Sequence, residues 1–522
     1  MIKNAIAFSN KTKVAVNVVT ATLTLCATAG ISFFLTPFIV KTLGVEAQGF
    51  TQLSANLVSY LSVATIALNS MSGRFISVAV HKNEPENAGK YYTSVLYGNI
   101  FIFAALLMPL ALFIFYADRL IKIPDDIVTD VRILFALSFF NCFVWNILSQ
   151  WSNAFYIKDR AYLQSISNCL NSLLYAALTV ALFSLLPPKI WYTALAVLIA
   201  MSFPAIWGGY FKRRLLPDLR AKKALFSLTH LKEIILSGIW FSLECAGQLL
   251  LNGLDLLICN IMIDAKTMGV LALSKIFPQF ISRLTWSIST TFAPQLTIKY
   301  ATGDFTGMRR DIKRSAKITA CIGTIPLAGL MVFGKDFFML WLPGQNAGLL
   351  WMLSILACFP NALLSGVDPC CNIFATVNKV KPQGVSVIIS GAISTLTVLI
   401  LLNFTHMGVY AVAGTSAIVW VLGDIVYIIP AAARYLGLKW HTFFYVFGYS
   451  MTGTLIATLV GLGVKAAIPT GAWAWLLTGC LVTGIVALVA NILVIFDKDE
   501  RKMLRNSFVK TIKRLMPQED NA

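Results

Sequence analysis

The sequence predicts an all-α polytopic membrane protein of about fourteen transmembrane helices. It further predicts two parallel six-helix lobes around a central cavity, followed by two C-terminal helices. Three observations carry this reading: the composition, the spacing of the apolar runs and an internal duplication. Of the 522 residues, 57% are hydrophobic and only 12% are charged. A soluble domain carries about 25% charged residues, so little of this chain can lie outside a bilayer.

About 20 apolar residues span the hydrocarbon core as a helix, and runs of at least that length recur along the chain. They fall at 14–40, 48–80, 90–116, 127–155, 162–186 and 190–211, then 231–262, 268–299, 312–340, 347–376, 383–404 and 408–433, and finally 442–464 and 472–496. The first run follows a basic stretch and is too long for a signal h-region, so it reads as an uncleaved span. The net charge of +19 is concentrated between spans. Dense runs occur at "KRRLLPDLRAKK" (212–223), "RRDIKRSAK" (309–317) and 497–515. Lysine and arginine mark cytoplasmic loops, which predicts both termini in the cytoplasm and a secondary attraction to anionic membrane lipids. Nucleic acid is not expected as a partner. The ten cysteines all lie in predicted spans without metal-ligand spacing, so they read as small core residues and no metal is expected.

The duplication is visible at a constant offset. "GVEAQGFTQLS" (44–54) aligns with "DAKTMGVLALS" (264–274), equating Gly49 with Gly269, Leu53 with Leu273 and Ser54 with Ser274. At the same offset "HKNEPENAGK" (81–90) falls on "ATGDFTGMRR" (301–310). One position less in register, "SNAFYIKDRAYLQSIS" (152–167) falls on "CNIFATVNKVKPQGVS" (371–386), equating Asn153 with Asn372 and Phe155 with Phe374. The predicted organisation is a lobe over 1–215, a basic connector over 216–230, a second lobe over 231–437, two helices over 438–496 and a basic tail over 497–522. Six is even, so the copies share one orientation, as in one class of secondary transporters.

"FIVKTLGVEAQGF" (38–50), with the repeated twelve helices plus two and the basic connector, resembles the Wzx-type polysaccharide flippases. These belong to the polysaccharide transporter family, in a superfamily with MATE antiporters and lipid II flippases. The resemblance implies a bacterial inner-membrane flippase that turns undecaprenyl-diphosphate-linked oligosaccharide repeat units outward by alternating access. Capsule, O-antigen or exopolysaccharide assembly would follow, with a polysaccharide polymerase and a chain-length regulator as further partners. A lipid II flippase and a MATE-like cation-coupled multidrug antiporter remain the alternatives.

Polar residues inside spans nominate the site. At about 100° per residue, Glu244, Gln248, Asn252 and Asp255 share one stripe of span 7. Thr24, Thr28 and Ser32 hold the equivalent stripe of span 1. Span 2 offers Gln52, Asn56, Ser59, Ser70 and Arg74, and span 8 offers Lys275, Gln279, Ser282, Arg283 and Trp286. Arg74, Lys275 and Arg283 are the phosphate candidates, since fixed cations suit a diphosphate. The amides Gln52, Asn56, Gln248, Asn252 and Gln279 suit sugar hydroxyls, and Trp286 or Trp240 could stack on a sugar face. Glu244, Asp255 and Asp424 are candidates for coupling to a proton or sodium gradient, with Asp368 a further buried acid. Bland alternatives stand beside these roles: Arg74 and Lys275 can snorkel to headgroups, and Glu244 or Asp255 can simply neutralise Arg283 or Lys275. The intramembrane prolines, Pro278, Pro294 and Pro369 among them, read as tolerated kinks. No Walker, HExxH or G-x-S-x-G sequence occurs, so no enzymatic activity and no cofactor is expected.

Overall fold

The structure, a computed structural model, describes residues 10–158, 160–469 and 471–502. Among these residues every regular element is a helix. This follows from a chain that must satisfy its own backbone in hydrocarbon, where no water can do so. The first six expected spans are built by α1 (Asn10–Leu43), α2 (Val45–His81), α3 (Pro85–Phe115), α5 (Val128–Ile157), α6 (Ala161–Leu185) and the pair α7 (Tyr192–Ala200) and α8 (Ser202–Leu215). A single turn, α4 (Ala117–Leu120), lies between α3 and α5. The seventh span is α9 (Leu228–Asn252) with α10 (Asp255–Met262), and the eighth is α11 (Ala265–Ser274), α12 (Ile276–Thr290) and α13 (Ala293–Ala301). There follow α14 (Phe305–Trp341), α15 (Ala347–Leu364) with α16 (Asp368–Thr376), α17 (Val380–Phe404) and α18 (Val409–Gly423) with α19 (Ile429–Tyr435). The last pair is α20 (Tyr445–Ala467) and α21 (Trp473–Ile495).

Among the described residues, 13 helices are long and apolar enough to cross a membrane. The eighth expected span is not among them, because it is divided into three segments. Proline explains the divisions. Pro278 has no N–H to offer the carbonyl of Ser274, four residues back. The Ser354 hydroxyl donates to that carbonyl instead, at 2.8 Å. Pro294 and Pro369 likewise stand second in α13 and α16, where a missing N–H is harmless. These prolines start new segments rather than kink continuous ones, while Pro109, Pro326 and Pro360 do lie inside helices.

Packing divides the chain into two compact units. One runs through Leu273 and includes Val387–Val412, and the other comprises Ser274–Ser386 and the chain from Ala413 onward. These boundaries differ from those of the sequence repeat, since α9, α10 and α11 of the second copy pack with the first unit. The tail expected over 497–522 is described only to residue 502, and 503–522 lies outside the described residues.

The local chemistry nevertheless recurs at the sequence offset. After α2, Asn83 adopts φ 58°, and after α13 Gly303 adopts φ 74°. Both are left-handed positions that asparagine and glycine tolerate. The turn hydrogen bonds match one for one: Lys82 N to Val78 O, Asn83 N to Val80 O and Glu84 N to Ala79 O in the first copy. Thr302 N to Ile298 O, Gly303 N to Tyr300 O and Asp304 N to Lys299 O repeat them in the second. Glu84 and Asp304 then precede α3 and α14 as N-cap residues. Deeper in each copy, Asn153 donates to the Ser72 hydroxyl at 3.3 Å, and Asn372 donates to Ser289 Oγ at 3.0 Å. Phe155 and Phe374 are both buried.

Within the first unit, α9 is held by close backbone approach, the usual device where hydrocarbon removes the hydrophobic driving force. A Cβ on Gly238 would collide with the carbonyl of Ala67 in α2. A Cβ on Gly247 would lie 2.6 Å from the nitrogen of Ile388 in α17, and one on Gly391 would lie 2.7 Å from the carbonyl of Gly247. The repeat-equivalent glycines also meet: a Cβ on Gly49 would stand 2.8 Å from Cα of Gly269.

Candidate functional site

In the first unit the polar residues of α2 converge on the break between α9 and α10. Asn252-Gly253 ends α9, and Gly253 N still closes onto Leu249 O at 2.8 Å. The ladder stops there, leaving the Gly253 carbonyl to accept from Asn56 Nδ2 at 3.1 Å and from the Tyr60 hydroxyl at 2.6 Å. Asp255 opens α10, is only 3% exposed, and lies within electrostatic reach of Tyr60. A carboxylate in the first turn of a helix faces the positive end of its dipole, which stabilises the charge.

The single stripe expected on span 7 therefore ends at Asn252. Glu244 and Asn252 are half-buried on α9 and Gln248 is exposed, while Asp255 begins a separate helix and is buried. The extrapolation fails because it requires an unbroken helical ladder through Gly253 and Leu254. Tyr60 went unrecognised in the sequence, although it sits one turn from Asn56 and shares its face.

Span 1 also uses its polar residues differently from the expectation of a cavity wall. Thr24 Oγ1 donates to the carbonyls of Thr20 and Ser165, and Thr28 Oγ1 lies 3.5 Å from Ser172 Oγ. Those contacts bind α1 to α6. On α2, Gln52 is half-buried, whereas Ser59, Ser70 and Arg74 are exposed. Between α2, α3 and α5 runs a neutral amide ladder. Asn69 donates to Asn146 at 2.7 Å and accepts from Asn99 at 2.9 Å and from Gln150 at 2.9 Å. Charge-free networks of this kind fix helix register once every member is paired.

In the second unit, Lys275 caps α12 and is half-buried with Gln279, while Arg283 and Trp286 project from α12 as exposed side chains. Ser282 donates to Asn361 at 3.3 Å. Asp368, at the start of α16, lies near Thr285 of α12, whose hydroxyl donates to the Ser282 carbonyl at 3.1 Å. Asp424 lies near Trp420 and within electrostatic reach of Asp368. Asp424 also begins the π-helical turn Asp424–Ile428, a local widening that often marks functional positions. Among the described residues, no group of three His, Cys, Asp or Glu side chains is placed to hold a metal ion.

One cation taken in the sequence for a surface topology charge is instead interior. Lys317 of α14 is 1% exposed and pairs with Glu500 at 2.6 Å and Asp497 at 3.2 Å. Its ammonium also sits 5.3 Å from the ring centre of Tyr449. A second pair, Lys465 with Asp336 at 2.7 Å, binds α20 to the far end of α14.

Comparison with known proteins places these helices. The chain is 29% identical over 489 residues to the "Uncharacterized membrane protein EpsK" of Bacillus subtilis (strain 168), covering 92% of this chain and 95% of that protein. A solved inward-facing multidrug resistance MATE family transporter of the MOP superfamily superposes with a TM-score of 0.65 at 14% identity, covering 81% of this chain and 98% of that one. The lipid II flippase MurJ, in an inward closed conformation, superposes with a TM-score of 0.62 at 14% identity, covering 91% of this chain and 98% of that one. The fold is thus the one seen in the MATE and MurJ structures, and the chain is a multi-pass membrane protein. A family model described as "Polysaccharide biosynthesis protein" matches residues 14–297, more than half of the sequence. This chain belongs to that polysaccharide biosynthesis family.

Proposed function

We propose that the chain flips undecaprenyl-diphosphate-linked oligosaccharide repeat units across the bacterial cytoplasmic membrane by alternating access, with both termini in the cytoplasm. The observation that carries this reading is membership of a polysaccharide biosynthesis family on a fold shared with a lipid II flippase. The MurJ likeness extends over 91% of the chain and the MATE likeness over 81%. Arg74, Lys275 and Arg283 serve the diphosphate. Gln52, Asn56, Gln248, Asn252 and Gln279 exchange hydrogen bonds with hydroxyls, and Trp286 stacks on a sugar face. The product feeds a polymerase and its chain-length regulator.

Depletion of the protein in its own cells tests the reading. Undecaprenyl-diphosphate-linked repeat units accumulate in extracted lipids while cell-wall precursors stay level. Accumulation of lipid II alone would transfer the assignment to the second reading, the one favoured by the MurJ fold.

Energy for the transfer is assigned to a proton or sodium gradient acting through Glu244, Asp255 and Asp424. One charge crossing 100 mV supplies about 2.3 kcal/mol. In proteoliposomes with an imposed gradient, Glu244→Gln and Asp255→Asn slow gradient-driven transport, while flux without a gradient is retained. Equal acceleration by the gradient in wild type and both variants removes the coupling role.

A further inference from the structure

Connections that follow spans 1, 3 and 7 leave the bilayer on one side, and the basic connector after span 6 leaves it on the other. On the first of these sides the sequence repeat touches itself. Gly49 of α2 and Gly269 of α11, equated by the duplication, are both buried near the starts of their helices. A Cβ on Gly49 would stand 2.8 Å from Gly269 Cα and 2.9 Å from Met268 Cε, and one on Gly269 would collide with the Val45 carbonyl. Equivalent residues of two copies meet only at the axis relating their segments, and in parallel repeats that axis follows the membrane normal. A cargo held at the interface of the copies leaves along the same direction, so this contact stands in its way.

Beside the glycines the same end is fastened by hydrogen bonds. Asn260 of α10 is 0% exposed, accepts from Lys122 N at 2.8 Å and donates to Lys122 O at 3.0 Å. Lys122 Nζ donates in turn to the carbonyl of Ile263 at 2.8 Å, one of those a helix leaves open at its C-terminus, where a cation is favoured. The connection between α4 and α5, from the first copy, is thereby tied to α10, from the second. The duplication does not repeat this device: Val40 holds the position equivalent to Asn260 and carries no amide. We infer that the Gly49–Gly269 contact is the outer closure of the translocation path and that Asn260 with Lys122 is the latch that keeps it shut. Resting on the alternating access proposed above, outward release parts α10 and α11 from the α1–α2 turn and from the α4–α5 connection. Bonds made only in the shut state bias that equilibrium without forbidding the open one.

The test reads whether Met268, 0% exposed beside Gly49, becomes reachable from outside. The full chain carrying Met268→Cys is treated in intact cells with a membrane-impermeant sulfonated maleimide. The chain without that substitution gives the background of its ten native thiols. Adding Asn260→Ala raises the labelling rate of Met268→Cys at least about fivefold, the weight of one net hydrogen bond. Lys122→Gln, which removes only the bond to Ile263, raises it by a smaller factor. Gly49→Ala, whose Cβ meets Gly269, raises it as well. Rates unchanged by both Asn260→Ala and Lys122→Gln overturn the latch, and a rate unchanged by Gly49→Ala overturns the closure. Lys122→Gln, an exchange at an exposed position, keeps the test readable if Asn260→Ala does not fold. Transfer of glycan-lipid in liposomes separates the two readings. Transfer by a protein whose labelling ignores these substitutions rejects only the gate. Latch-dependent labelling of a protein that transfers no lipid-linked glycan rejects only the transport reading.

Discussion

Replacing Arg283 with alanine cuts surface polysaccharide by at least about tenfold, while the protein remains in the membrane at its normal level. The expectation rests on where the side chain stands. Arg283 lies midway along α12 and is exposed, so it faces either lipid or a polar path. A charge held in hydrocarbon at that depth costs about 2.5–3.5 kcal/mol, and the α12 segments 276–282 and 284–290 on either side leave little scope for snorkelling. A polar path supplies the compensation. Hydrogen bonds to charged groups contribute about 1.5–3 kcal/mol, which sets the size of the loss. Arg283→Lys keeps the charge without the planar fork that pairs two oxygens at once, and it recovers part of the activity. Quantification of polymer against immunoblotted protein reads the effect. Normal polymer from Arg283→Ala at normal protein level rejects the phosphate role.

The second large effect is on stability. Asp497→Asn with Glu500→Gln leaves Lys317 interior and without a carboxylate. Breaking a fully buried pair costs about 3–5 kcal/mol because the remaining charge is stranded. Here Glu500 is 16% and Asp497 69% exposed, so solvent screening sets the loss below that range. Lys317→Met, which fills a similar volume without charge, costs far less and restores the thermal stability of the double variant. A melting temperature for Asp497→Asn/Glu500→Gln equal to wild type contradicts the account. The pH dependence has a definite sign. The hydrogen bond from Lys317 holds the Asp497 carboxyl below its ordinary value of 3.8. A depressed acid contributes stability above its unfolded-state pKa and loses it as pH falls through the lower folded value. The Lys317–Asp497 contribution to this junction therefore persists through mild acid and fades only as the pH falls below the ordinary aspartate value of 3.8. Its consequence for the fold is that the last two helices are fastened to α14 at both ends, through Lys317 and through Lys465.

Much of this architecture was legible because its signals are local. Apolar runs mark helices, and the recurring turn at Asn83 and Gly303 follows from residues that tolerate positive φ. The offset between Asn153 and Asn372 likewise joins residues with the same task. The site was less legible, for two reasons. Stripe geometry presumes that a span is one helix, and Pro278, Pro294 and Gly253 each divide one. Asp255 thus became a buried first-turn acid, and Lys275 became the cap of a new segment. Partners distant in sequence were the second obstacle. Lys317 follows a run of surface cations and reads as one more of them until Glu500 folds onto it. Thr24 and Thr28 read as a cavity wall, yet a threonine hydroxyl serves equally well to join α1 to α6.

The central claim is transfer of a lipid-linked glycan between leaflets, and a leaflet assay tests it most directly. The purified chain is reconstituted into liposomes containing undecaprenyl-diphosphate oligosaccharide labelled with a fluorophore on the sugar, and membrane-impermeant dithionite is added outside. The account predicts that fluorescence falls beyond the outer-leaflet pool until nearly all of it is quenched, and that Arg283→Ala slows this second phase. Quenching that stops at the outer-leaflet pool, as in protein-free liposomes, contradicts it.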